Sequence, residues 1–160
     1  MTDQRFPITG GCLCSTVHYS LLAPAKQVEY CHCSMCRESH GALFASLTLV
    51  AKQSLRIDSG KESLRSHLSS PTIHRQLCGN CGCPLFLDMD DIEEESYFFA
   101  ATLDGGVHSG HPIQRECHNW VSSTAQWEVI ADDVPKFETE PEGVGWEDTP
   151  VAPIVLGGPE

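Results

Sequence analysis

Seven cysteines in three tight clusters constrain this chain more than any other feature: Cys12 with Cys14, then Cys31, Cys33 and Cys36, then Cys78 with Cys81. Four thiolates close a tetrahedral zinc site, whereas three leave one coordination position free for water or a substrate. Four plus three therefore predicts two Zn2+ per chain, one structural and one open or catalytic. Cys83 and Cys117 bring the total to nine, and an odd number of thiols cannot pair completely into internal disulfides. The C-x-C and C-x-x-C spacings are also too short for most structural disulfides.

At 160 residues the chain has the size of one domain, long enough to bury a core without a metal compensating for small size. Its net charge of -12, with only 10 Lys and Arg, opposes a surface for phosphate backbones, so nucleic acid is not an expected partner. The first nine residues include Asp3, Arg5 and Pro7 in place of an apolar signal core. No apolar run approaches the roughly 20 residues of a membrane span. The expectation is a soluble, cytoplasmic protein with no membrane partner, and a reducing compartment favours metal thiolates over disulfides.

The patterning is strand-like nearly throughout. Over residues 16–21, Val17, Tyr19 and Leu21 alternate with Thr16, His18 and Ser20, as in a half-buried strand. Runs 43–50, 54–57, 72–77, 97–102 and 116–121 are similarly short and β-favouring, punctuated by Gly, Pro, Ser or Asp. Helix reduces to turns at 33–39 or 93–96, so the fold class is mainly β. Residues 1–137 read as the domain and 138–160 as an extended tail rich in Glu, Pro and Gly. Trp146 and the 151–156 stretch can dock that tail on the core or on a second protomer, which leaves a homo-oligomer among the partner readings; mobility is the alternative.

In a strand, residues two apart point to the same side, so Cys12 and Cys14 can face one ion, as can Cys31 and Cys33. Between Cys78 and Cys81, Gly79-Asn80 supplies residues that tolerate the positive φ such knuckles often need. A closed site draws pairs from distant segments, so Cys12, Cys14, Cys78 and Cys81 form the natural structural set. Cys31, Cys33 and Cys36 either hold a second structural ion whose fourth ligand is Cys83, Cys117, His32 or His118, or leave a position for an exogenous thiol. Cys83 and Cys117 can equally be small buried hydrophobes. By alternation with its neighbours, His32 should face away from their metal.

Gly11-Cys12-Leu13-Cys14, then Cys31-His32-Cys33-Ser34-Met35-Cys36-Arg37 with Gly41-Ala42, then Cys78-Gly79-Asn80-Cys81-Gly82, and finally His118-Asn119-Trp120-Val121-Ser122-Ser123 with Trp127 and Pro135-Lys136-Phe137 follow one another in the order of a known family. Over roughly residues 10–137 the chain resembles the glutathione-dependent formaldehyde-activating enzymes. The resemblance implies a zinc-containing β-tent-like fold of short antiparallel sheets with little helix. It allots Cys12, Cys14, Cys78 and Cys81 to a structural zinc, and Cys31, Cys33 and Cys36 to a catalytic one. The implied reaction, formally that of a carbon-sulfur lyase, adds glutathione or a similar small thiol to formaldehyde or another aldehyde. Cys83 departs from the family pattern, where a small hydroxyl residue is common, and would close the second site if it reached it. Thr124-Ala125 stands in place of a common Lys-Ala.

Around that site, Arg37 is expected either to offset the thiolate charge or bind a thiol's carboxylate, or to form an ordinary ion pair at the surface or behind the ligands. His118 is expected either to relay a proton and orient the ligand or to be a packing residue. Trp120, Trp127 and Phe99 read first as core, His108 and His111 as exposed, and 88–95 as a solvated acidic loop. The competing functional reading is a non-catalytic two-zinc module that is structural or binds a partner.

Overall fold

A computed structural model describes residues 6–141. Trp146 and the 151–156 stretch of the expected tail lie outside the described residues. A three-stranded sheet is built from β1 (Ile8–Gly11), β2 (His18–Leu21) and β5 (Leu55–Ser59). A seven-stranded sheet runs β10 (Glu116–Asn119), β3 (Gln27–Cys31), β4 (Ala45–Ala51), β9 (Glu95–Phe99), β8 (Pro84–Met89), β7 (Ile73–Cys78), β6 (Leu64–Ser70). The helix α1 (Ser34–His40) and several single 3-10 turns complete the described residues. The mainly β expectation holds. Pairing is antiparallel throughout the named strands except that β10 lies parallel to β3.

Around β4 the large sheet buries both faces, with Ala45, Leu47, Thr48, Leu49 and Val50 all buried. One face packs on the small sheet. There Val17, Tyr19 and Leu21, the alternating set from 16–21, meet Val50, Phe86 and Phe98. Tyr19 sits edge-on to Phe86 at 5.3 Å, and its hydroxyl is 2.7 Å from Thr102 Oγ1, so the buried phenol keeps a polar partner. The opposite face carries Cys31, Leu47, Leu49, Leu87, Tyr97 and Phe99, with Cys36 of α1 packed against it.

Helix α1 begins at Cys33, whose thiol accepts the Cys36 N–H, and ends at Gly41, left-handed at φ 57°, whose N–H caps the Arg37 carbonyl. His40, in its last turn, packs edge-on to Phe99 at 4.3 Å, and its Nε2 is buried with no partner among the described residues. Burial, reinforced by the nearby Arg75 charge, pulls the His40 imidazole down to about 4. Between pH ~6.5 and that value the unfolded chain binds the proton and the folded chain does not, so stability falls as the solution is acidified through this window. Denaturant midpoints measured across it should decline for the native protein and decline less for His40→Phe.

No helix among the described residues is long and apolar enough to cross a membrane. Chain pairing continues past the expected boundary at 137: Ser122 Oγ donates to the Glu138 carbonyl at 2.7 Å and Trp120 N to the Thr139 carbonyl at 3.2 Å.

Candidate functional site

The two cysteine groups lie on opposite sides of the large sheet. Cys12, Cys14, Cys78 and Cys81 converge where the loop after β1 meets the turn after β7, their sulfurs all within 4.8 Å of one another. Cys12 to Cys14 is 3.6 Å and Cys14 to Cys78 is 3.8 Å. A tetrahedral site with Zn–S bonds of about 2.3 Å has S···S edges of about 3.8 Å, so the donor set fits zinc as it stands. All nine thiols are free of disulfide bonds. Backbone and side-chain donors already point at these sulfurs: Val17 N to Cys12 at 3.2 Å, and Asn80 Nδ2 to Cys14 at 3.2 Å. Contacts with the Thr16 hydroxyl and Asn80 bring the Cys14 thiol down to about 5, so it offers a thiolate, the form that binds metal.

The glycines of this knuckle act differently from the sequence expectation. Positive φ falls at Gly82, at 75°, whereas Gly79 is needed for close approach: a Cβ there would lie 2.8 Å from Arg65 Cγ and 2.9 Å from the Ser63 carbonyl. Asn80 contributes its side chain to Cys14.

Cys31, Cys33 and Cys36 form the second group, again with sulfurs within 4.8 Å of one another. Cys31 ends β3, and the short helix returns Cys36 beneath it. Hydrogen bonds from Cys31, then Cys36, hold the Cys33 thiol well below the ordinary thiol range. No fourth Cys, His, Asp or Glu joins the trio among the described residues. Cys83 packs with the core on the four-cysteine side, its thiol directed to the Pro84 carbonyl at 3.6 Å. Cys117 is fully buried, and burial, followed by the Glu29 charge, pushes its thiol up to about 12. Cys117 therefore behaves as a small buried hydrophobe, and Cys83 is half-buried against the other core.

The trio lines a cavity of about 270 Å3. Because β10 pairs with β3 in the register Cys117↔Glu29 and Asn119↔Cys31, these four residues share the cavity face, while Tyr30, His32 and His118 share the other. His32 thus faces away from the cysteines, as alternation predicts, but so does His118. Its Nδ1 lies 2.8 Å from His32 Nε2 and its Nε2 3.1 Å from Asp132, while His32 Nδ1 lies 3.3 Å from Glu128. Arg37 also points elsewhere, donating Nε to the His32 carbonyl at 3.3 Å and lining a separate depression with Trp127. Neither Arg37 nor His118 lines the cavity.

The cation at the cysteines is Arg75, which sequence reasoning missed because β7 reads there as an ordinary strand. Its side chain is buried, Nε donating to Ser69 Oγ at 2.9 Å and Nη2 to Cys36 Sγ at 3.4 Å. Glu29, also missed, is buried two residues before Cys31 and accepts from Gln27, Tyr97 and Asn119 at 2.6, 3.2 and 2.9 Å. Burial nevertheless raises its carboxyl above the usual range. Trp120 lines the cavity in a left-handed conformation at φ 57°, strain that a non-glycine residue tolerates when its surroundings fix it. Trp127, expected in the core, is 77% exposed.

Arg75→Gln should raise the pH midpoint for uptake of one metal equivalent by about one unit, since the lost cation leaves the thiolates harder to form. The other equivalent should bind unchanged, and Arg75→Lys should restore part of the shift; a competitive chelator titration against pH reads all three.

A third group, His108, His111 and Glu116, was expected to be exposed at its histidines but is largely internal. The two rings stack at 4.1 Å, His111 Nε2 lies 2.8 Å from Glu116, and Ser109 Oγ lies 2.6 Å from His111 Nδ1. The cluster ties the 108–111 loop to β10.

Residues 7–123 match the sequence profile described as the glutathione-dependent formaldehyde-activating enzyme family. The chain belongs to that family. The match spans both cysteine groups, Arg75 and Glu29. In three dimensions the chain is similar to a crystal structure of a Rhodobacter sphaeroides protein, with a TM-score of 0.50 and 24% identity over 61% of this chain and 89% of that one. That likeness concerns the fold. As a family member the chain carries a glutathione- and formaldehyde-related site, and its two cysteine groups can each hold a metal ion.

Proposed function

We propose that this protein is a zinc-dependent carbon-sulfur lyase-like enzyme that adds glutathione or a similar small thiol to formaldehyde or another aldehyde. Cys12, Cys14, Cys78 and Cys81 hold the structural Zn2+, and Cys31, Cys33 and Cys36 hold the one that serves catalysis. The observation that carries the reading is a three-cysteine group with no fourth protein ligand among the described residues, opening on a cavity. Zn2+ held there supplies an open position that favours the thiolate form of an incoming thiol.

The chain's own groups do the rest. Three cysteinates around Zn2+ carry a formal charge of -1, and Arg75, hydrogen-bonded to Cys36, offsets it. Leu47, Leu87 and Met89 give the cavity an apolar wall beside the cysteines. The thiol sulfur bonds to the aldehyde carbon as the carbon-oxygen π pair moves to oxygen, and that oxygen receives the proton the thiol released. The product is a hydroxymethyl thioether, with every atom of both reactants retained.

The test is exchange NMR of formaldehyde and glutathione, read against the spontaneous rate of the same mixture. The protein should accelerate the interconversion, and metal-stripped protein should not; equal rates with and without protein would remove the enzymatic reading and favour a non-catalytic two-zinc module.

A further inference from the structure

Two buried polar atoms beside the cysteine trio have no hydrogen-bond partner among the described residues. Both belong to side chains that line the cavity, Arg75 at 5% exposure and Asn119 at 2%. The Arg75 guanidinium donates Nε to Ser69 Oγ and Nη2 to Cys36 Sγ, but its Nη1 is unpartnered. Asn119 donates Nδ2 to Glu29 Oε2 at 2.9 Å, which fixes the orientation of its amide and leaves Oδ1 as the unpartnered acceptor. A buried donor or acceptor in this state is costly unless a group entering the site completes it. The two atoms are of opposite kind, and they come to the trio from opposite sides of β3 in the sheet order. Arg75, on β7, meets the trio at Cys36, whereas Asn119, on β10, pairs directly with Cys31.

We infer that Arg75 and Asn119 are the specificity-determining pair of this cavity, reading the peptide groups on either side of the incoming thiol, so that the site selects a cysteinyl residue within a peptide over a simple alkyl thiol. This rests on the open-position reading of Cys31, Cys33 and Cys36. With the sulfur at the open position, Arg75 Nη1 donates to a carbonyl oxygen on one side of the cysteinyl Cα, and Asn119 Oδ1 accepts the N–H on the other. Glutathione carries both groups at its cysteine; a simple alkyl thiol carries neither. The order of N–H and C=O around that chiral carbon is fixed, so two fixed partners of opposite kind select its hand as well.

The test uses full-length protein with Co2+ in both cysteine sites and follows the thiolate-to-cobalt absorption during titration with the two enantiomers of N-acetylcysteine N-methylamide. These thiols have the same acidity and the same apolar surface, and they differ only in where the N–H and C=O are placed. The L form, the hand found in peptides, should bind about tenfold more tightly than the D form. Arg75→Lys keeps the cation but removes Nη1, and Asn119→Leu removes Oδ1; each should cut that ratio to about threefold or less. A loss of affinity that is equal for both hands would mark a structural role only and overturn the inference. Equal binding of the two hands by the native protein would also overturn it, while leaving the open-position reading intact. Absence of any spectral change with either enantiomer would overturn both.

Discussion

Cys78→Ser is expected to release one of two bound metal ions and to lower the thermal midpoint by more than about 10 °C, because a structural zinc contributes its binding free energy directly to folding. Cys78 is fully buried at the end of β7, and its sulfur lies 3.8 Å from that of Cys14, 64 residues away in sequence. An ion held there would join the loop after β1 to the turn after β7, so losing one ligand would loosen a long-range closure as well as a local knuckle. Cys83→Ser is the internal control. Its thiol lies outside the group and meets only backbone groups, the Pro84 carbonyl at 3.6 Å and the Leu13 N–H, both of which a serine hydroxyl can also meet, so a change of about 1 kcal/mol or less is expected. Calorimetry with metal analysis on the same samples reads both variants.

The second large effect is functional. Cys33→Ser should abolish thiol-dependent chemistry and empty the second metal site while leaving the melting temperature within a few degrees of the native value. The reason is local. Cys33 is only half-buried, and its structural task is to cap α1 by accepting the Cys36 N–H, a task for which serine is a preferred residue. The substitution therefore removes a soft metal ligand and keeps the helix start. Equal unfolding of the Cys78→Ser and Cys33→Ser proteins, by circular dichroism melts at saturating zinc, would contradict the division into one structural and one functional site.

The cysteine spacing carried most of the site in advance, since C-x-C on extended backbone and C-x-x-C at a turn fix which sulfurs can meet. Six strands were foreseen from alternation or β-favouring composition. Strand β3 was not, although Gln27, Val28, Glu29, Tyr30 and Cys31 alternate cleanly. Its polar side is the buried one, facing the cavity, which inverts the pattern expected of a half-exposed strand. The parallel β3–β10 pairing was equally hidden, because it joins Val28 to Glu116 and Cys31 to Asn119 through no local turn. That pairing decides which residues face the cavity. It puts Asn119 beside Cys31 and turns His118 away, so a motif histidine adjacent to a site residue becomes part of a chain linking Glu128, His32, His118 and Asp132 on the opposite face. Arg75 gave no signal beyond being a charge in a strand; only the fold shows its contact with Cys36.

The central claim, four sulfurs on one ion and three on another with the last position open, is tested most directly by zinc X-ray absorption with metal counting, before and after adding a small thiol. Four plus three sulfurs over two ions predicts two zincs per chain with an average of about 3.5 sulfur ligands, rising to about 4 when the thiol binds. One zinc per chain, or an average of four sulfurs before any thiol is added and no change afterwards, would contradict it.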